Sequence, residues 1–204
     1  NLHLSDEDAL WLQQNMTRYL DALQLQLQQI SLTSTDCIHQ LFKQKALSLP
    51  TSTALVAGNK KLSYQQLDQL TDQVALHIRQ HYFTAHQSTM PLETPVVMML
   101  ERSWYGVVAM LAVLKSGGCY VPVDPDFPEQ RIDYILQDCQ APVVISQHSV
   151  LHKCPARGAI LLCIEDLLQT SAEPQHASEP LPQSAQSLAY ILYTSGTTGA
   201  PKGV

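Results

Sequence analysis

Basic side chains are scarce in this chain. Its 18 aspartates and glutamates outnumber 12 lysines and arginines, leaving a formal net charge of −6 with histidine neutral. Broad contact with nucleic acid or an anionic membrane needs a cationic footprint, so neither is expected as a partner. Cysteine is present without a pattern: Cys37, Cys119, Cys139, Cys154 and Cys163 are odd in number, scattered, and free of any C-x-x-C. That excludes a disulfide scaffold and suits a reducing, cytoplasmic setting. Long apolar runs are missing as well, since residues 104–114 fall far short of the roughly 18 needed to span a bilayer. The N-terminus is polar and acidic, unlike a signal peptide. Asn1 stands where an initiator methionine would, and the chain stops in a glycine-rich loop, so it reads as a piece of a longer polypeptide.

What is present makes a globular protein. Hydrophobic residues reach 45% and charged ones 15% over 204 residues, enough for one domain plus a helical extension. Ser5 followed by Asp6, Glu7 and Asp8 starts a helix with a capping hydroxyl and first-turn acids. Leu12, Met16, Tyr19, Leu20, Leu23, Leu27 and Ile30 then recur at helical spacing, which predicts an amphipathic helix of about seven turns. Residues 31–35 break it. Residues 36–47 predict a shorter helix with Ile38, Leu41 and Phe42 inward. Residues 53–57 and 60–63, around Gly58-Asn59, predict a β-hairpin. Ser63 and Gln66 form a capping box for a helix burying Leu67, Leu70, Val74 and Ile78, and residues 84–94 read as loop.

From residue 95 strands and helices alternate. Residues 95–100, 119–123, 142–146 and 159–164 are strands; residues 102–116 and a segment opened by Pro128 are helices, the first stopped by Gly117-Gly118. The expectation is an α/β fold: a mainly parallel, doubly wound sheet with helices on both faces, an N-terminal helical extension and a β-hairpin. Residues 170–187 read as a surface loop leading to a buried strand over 188–193, which joins the same sheet.

The chemistry concentrates in the last eleven residues. Glycines at 196, 199 and 203 let backbone N–H groups approach an anion as a nest. Thr194, Ser195, Thr197 and Thr198 add hydroxyls, and Lys202 a mobile positive charge. A strand followed by such a loop is where α/β sheets hold phosphates. It is not a Walker A loop, because Pro201 stands where the second glycine belongs, and no G-x-G-x-x-G is present. The plainer alternative is a small-residue surface loop after a strand.

Tyr193-Thr-Ser-Gly-Thr-Thr-Gly-Ala-Pro-Lys-Gly-Val204 resembles, residue for residue, the phosphate loop of the AMP-forming adenylate enzymes, with Ala200 at the variable position. Leu62-Ser-Tyr-Gln-Gln-Leu67 resembles the first core motif of the adenylation domains of nonribosomal peptide synthetases. Residues 114–138, from Leu-Lys-Ser-Gly-Gly-Cys-Tyr-Val-Pro-Val-Asp124 to Asp138, resemble the second, with Cys119 where alanine is usual. The resemblance implies residues 36–204 as the N-terminal portion of an adenylation domain, truncated at the phosphate loop. It implies residues 1–35 as a linker following a condensation domain. It further implies ATP, Mg2+ and an amino acid as substrates, a carrier-protein domain bearing phosphopantetheine as acceptor, and phosphate contacts from Thr194, Ser195, Gly196, Thr197, Thr198, Gly199 and Lys202. No complete catalytic set and no metal site are expected in this stretch, which alone is expected to be inactive. Two other readings stay open: an acyl- or aryl-CoA ligase sharing the loop, and a non-catalytic docking fragment.

Other candidates carry less. His77 and His81, four apart on one helix with His86 nearby, have zinc spacing but read as exposed helix histidines. His148, His152 and Cys154 lie close in sequence without a ligand pattern. Cys119, Cys139 and Cys163 read as small buried hydrophobes. Asp124, Asp126, Glu129 and Arg131 read as caps and turn residues around Pro128.

Overall fold

The computed structural model describes residues 37–155, 158–170, 183–195 and 201–204. The predicted helix over residues 5–30, the centre of the glycine-rich loop and most of the predicted surface loop lie outside them.

Helix α1 (Ile38–Ser48) leads to strands β1 (Thr53–Ala57) and β2 (Lys60–Ser63), an antiparallel pair turning at Gly58. Helix α2 (Tyr64–His86) begins as the sequence predicts. Gln66 N donates to Ser63 Oγ at 3.2 Å, and Ser63 N donates to Gln66 Oε1 at 2.9 Å. α2 takes in the first three residues of the predicted loop and ends at Gln87, which adopts φ 52°.

Strand β3 (Pro95–Met99), helix α3 (Trp104–Ser116), strand β4 (Cys119–Val123), helix α4 (Glu129–Cys139), strand β5 (Val143–Ser146) and strand β6 (Ile160–Cys163) follow. The four strands form one parallel sheet in the order β4-β3-β5-β6. Alternate side chains serve opposite faces. Val96, Met98, Val143 and Ile145 pack with α2 and α3, whereas Val97, Met99 and Val144 pack with Ile132, Ile135 and Leu136 of α4. Helices therefore cover both faces, and the strands read as nearly unbroken apolar runs. Two glycines make the sharp return from α3 to β4. Gly117 has φ 94°, and a Cβ on Gly118 would lie 2.9 Å from Thr94 O.

Two details depart from expectation. β5 and β6 are joined through a short 3-10 turn (Leu151–Lys153), and the short helix α5 (Ile164–Gln169), which the sequence did not predict, follows β6 directly. The predicted buried strand over residues 188–193 is an irregular edge segment. Leu188, Tyr190 and Leu192 are each more than 40% exposed, and Tyr190 makes a single parallel bridge to Tyr120 of β4. Tyr120 N donates to Ala189 O, and Ile191 N to Tyr120 O, both at 3.0 Å. The segment continues the parallel sheet for one step only. An edge position with an uncovered outer face leaves apolar side chains in solvent whatever their sequence pattern.

Candidate functional site

The glycine-rich loop is carried on a hairpin of its own. Strand β7 (Tyr193–Ser195) pairs antiparallel with strand β8 (Pro201–Gly203), setting Tyr193 opposite Gly203, Thr194 opposite Lys202 and Ser195 opposite Pro201. Below it, Leu192 and Val204 exchange two backbone hydrogen bonds of 2.9 Å. Directly opposed residues of an antiparallel pair present their side chains on one face. Thr194 and Lys202 thus share a face, and both are exposed. Among the described residues Lys202 has no ion-pair partner. Gly196, Thr197, Thr198 and Gly199 lie outside the described residues, as does the side chain of Ser195.

The opposite face of the hairpin is its anchor. Tyr193 O–H donates to Asp138 Oδ2 of α4 at 2.6 Å. Burial, and then this bond to a carboxylate, push the phenol well above its usual value, so it stays a donor. Gly203 leaves room for that ring: a Cβ there would fall 2.9 Å from Ile191 Cγ2 and 3.3 Å from Tyr193 Cζ. Sequence reasoning did not pair Tyr193 with Asp138. Both sit in family motifs, and membership of those motifs was the available signal. On the other side of the edge segment, Leu188 N donates to Glu93 Oε1 at 3.0 Å.

The turn after β4 is fixed by Asp124, whose Oδ1 accepts from Asp126 N at 2.9 Å. Arg131 lies over the Phe127 ring at 4.1 Å, and Lys153 pairs with Asp126 at 2.9 Å. The predicted capping by these acids is only partly met. Pro128 is the N-cap of α4 and offers no side-chain acceptor, so Glu129 contributes only as a first-turn charge. Next to this turn, at the carboxyl ends of β3 and β4, an open cleft of about 610 Å³ is lined by Leu100, Glu101, Arg102, Asp124, Leu192 and Tyr193. Ligands of open α/β sheets bind at such strand ends.

Lys115, inside the second family motif, is buried and structural. Its ammonium pairs with Asp68 and with Asp72 at 2.7 Å, tying the end of α3 to α2. His77 is buried, contrary to expectation, and its Nε2 lies 2.9 Å from Thr170 O, which occupies the ring as a helix clamp. His81 is exposed overall, but partial desolvation of its ring, and then the neighbouring His77, lower its pKa. His86 stacks on Tyr82 at 4.1 Å. Cys119 is fully buried, as expected, but Cys139 and Cys163 are only partly so. Burial, aided by Glu165, pushes the Cys163 thiol up to about 11. His148 lies by Glu165 and Asp166, while His152 and Cys154 line a separate cleft with Asp126 and Phe127. Among the described residues no helix is long and apolar enough to cross a membrane.

A four-stranded parallel sheet with helices on both faces, followed by an edge segment and an antiparallel hairpin, defines the α/β class of this chain. Solved structures agree. The N-terminal subdomain of Klebsiella oxytoca NpsA in complex with 3-hydroxybenzoyl-AMSN is 26% identical with a TM-score of 0.71, covering 86% of this chain and 42% of that one. The fused adenylation–PCP di-domain NpsA-ThdA from the same organism is 26% identical with a TM-score of 0.72, over 85% of this chain and 33% of that one. Residues 42–204 match the AMP-binding enzyme family, and the chain belongs to that family. It is similar to tyrocidine synthase 1 of Brevibacillus parabrevis, 39% identical over 81% of this chain, and to bacitracin synthase 3 of Bacillus licheniformis, 39% identical over 82%. The chain spans 15% and 2% of those two proteins.

Proposed function

We propose that this chain is the N-terminal part of an adenylation domain in a nonribosomal peptide synthetase, an ATP-dependent ligase of secondary metabolism acting in the cytoplasm. An oxygen of the amino-acid carboxylate attacks the α-phosphorus of ATP·Mg2+. The new P–O bond gives aminoacyl-AMP, and the α–β anhydride bond breaks to release pyrophosphate. The thiol of a carrier-domain phosphopantetheine then displaces AMP to form the loaded thioester. Residues 36–204 belong to the adenylation domain, and residues 1–35 link it to a preceding condensation domain.

The observation that carries this reading is the face shared by Thr194 and Lys202 on the β7–β8 hairpin, in the segment whose sequence resembles the family's phosphate loop. Thr194, Ser195, Gly196, Thr197, Thr198 and Gly199 supply hydroxyl and backbone N–H donors to the β- and γ-phosphates, and Lys202 neutralises charge as pyrophosphate leaves. Reactions at phosphorus need positioning and charge neutralisation more than covalent help, which suits a loop without a nucleophile. The test is ATP–pyrophosphate exchange by the intact synthetase across a panel of amino acids. Amino-acid-dependent exchange is expected from the intact protein, and background exchange from this chain alone. An intact protein that instead made acyl-CoA from a free acid would overturn the assignment.

A further inference from the structure

The carboxyl ends of β5 and β6 lie side by side, with Ser146 in register with Cys163. His148 follows two residues after Ser146, and Glu165 two after Cys163, so the parallel register gathers an imidazole, a thiol and a carboxylate. Cys163 Sγ lies 3.1 Å from Glu165 Oε2, and His148 Nδ1 lies 3.9 Å from the same oxygen. All three ligand atoms fall within 4.8 Å of one another. Tetrahedral coordination with bonds of about 2.0–2.3 Å needs ligand separations of about 3.3–3.8 Å, so small side-chain adjustments close this set around one ion.

The surroundings support the same geometry independently. Glu165 is held in place, because the backbone N–H of His148 donates to both its oxygens at 3.4 and 3.3 Å. The far nitrogen of the imidazole also has a partner: His148 Nε2 lies 3.3 Å from Asp166 Oδ1. A carboxylate on the second ring nitrogen is the arrangement that fixes the tautomer and aim of a metal-bound histidine.

We propose that His148, Cys163 and Glu165 form a zinc site, with water as the fourth ligand and Asp166 orienting His148. A mixed nitrogen, sulfur and oxygen set suits Zn2+ and is poor for Mg2+ or Ca2+, which take oxygen ligands. On binding, the S–H bond of Cys163 breaks, its proton passes to solvent, and the thiolate pair forms the Zn–S bond. The ion then cross-links the start of α5 to the ends of β5 and β6. No residue of the β7–β8 hairpin takes part, so the site stands or falls separately from the adenylation reading.

The test is calorimetric titration of this chain with ZnCl2 in excess Mg2+, paired with Co2+ absorption spectra. One zinc per chain is expected, with a thiolate-to-cobalt band in the near ultraviolet. Cys163→Ser should abolish the band and weaken zinc binding at least about tenfold. His148→Ala alters a side chain that is 57% exposed, so the fold survives it, and it should weaken zinc similarly. Asp166→Asn should weaken zinc by about tenfold or less with the band retained. Cys154→Ser should change neither readout. Absence of zinc binding, a cobalt–thiolate band that survives Cys163→Ser, or zinc binding unmoved by His148→Ala would overturn the site.

Discussion

β3 and β5 lose nearly all contact with water: seven of the nine residues in Pro95–Met99 and Val143–Ser146 are at most 1% exposed. The β7–β8 hairpin keeps one face open, stands on a single parallel bridge at Tyr120, and is pinned by one phenol–carboxylate bond. The sheet draws its stability from apolar area, which is indifferent to ligand. The hairpin spends its residues on glycine, threonine and lysine, which gain little from packing and which the proposed function assigns to an anion. On the proposed function, stability and binding are segregated along the chain, and substitutions should separate them.

Ile145→Ala should have the largest effect. The side chain is fully buried between β5 and the helices of its face, so truncation should cost about 2–5 kcal/mol in denaturant unfolding. Leu192→Ala, at a residue 43% exposed, should cost well under half of that. Equal losses at the two positions would erase the contrast between sheet and hairpin.

Lys202→Ala should reverse the pattern in the intact synthetase. Removing a charge-assisted phosphate contact worth about 1.5–3 kcal/mol predicts a loss on the order of ten- to hundred-fold in adenylation rate. Amino-acid binding and the unfolding midpoint should stay unchanged. Unaltered pyrophosphate exchange would reduce Lys202 to a surface lysine.

Much of this division was legible in the sequence, and the exceptions share a cause. The capping box at Ser63 and Gln66, the hairpin turn at Gly58 and the stop at Gly117 are local signals, and each lies where the sequence puts it. The family loop was read from adjacent residues alone. What escaped was long-range. Tyr190 and Leu192 look like core strand, and among the described residues no layer covers them. His77 looks like a surface helix histidine until Thr170, 93 residues on, supplies its partner. The gathering of His148, Cys163 and Glu165 depends on the β5–β6 register, which no spacing reports.

Tyr193→Phe should have an intermediate effect confined to the hairpin. Its hydroxyl bond to Asp138 is close to solvent, so its loss should cost about 1 kcal/mol. Hydrogen exchange should accelerate at β7 and β8 while β3 and β5 stay protected. Asp138→Ala combined with Tyr193→Phe should be little worse than either alone, since each removes the same bond. Additive losses would show that the hairpin is held elsewhere.

The last effect appears only in alkali, and it distinguishes the two regions by pH. Burial pushes the Cys119 thiol of β4 from 9.0 up to about 11, so the folded state retains a proton that the unfolded chain releases first. A pKa raised on folding gives stability that is intact below pH 9 and is lost as pH rises towards 11. Cys154 and Cys163 are raised to about 11 as well and act in the same window, so Cys119→Ala should remove only part of that slope. Alanine keeps the small apolar volume at a position where the thiol is fully buried. The Tyr193 phenol, raised from 10.0, has the same sign but starts later, so its contribution is lost only above pH 10. Tyr193→Phe should therefore leave the pH 9–10 slope intact and flatten the curve beyond it. Unfolding midpoints measured at half-unit steps from pH 8 to 11 would check both, and a Cys119→Ala curve parallel to the parent throughout would remove that thiol from the account.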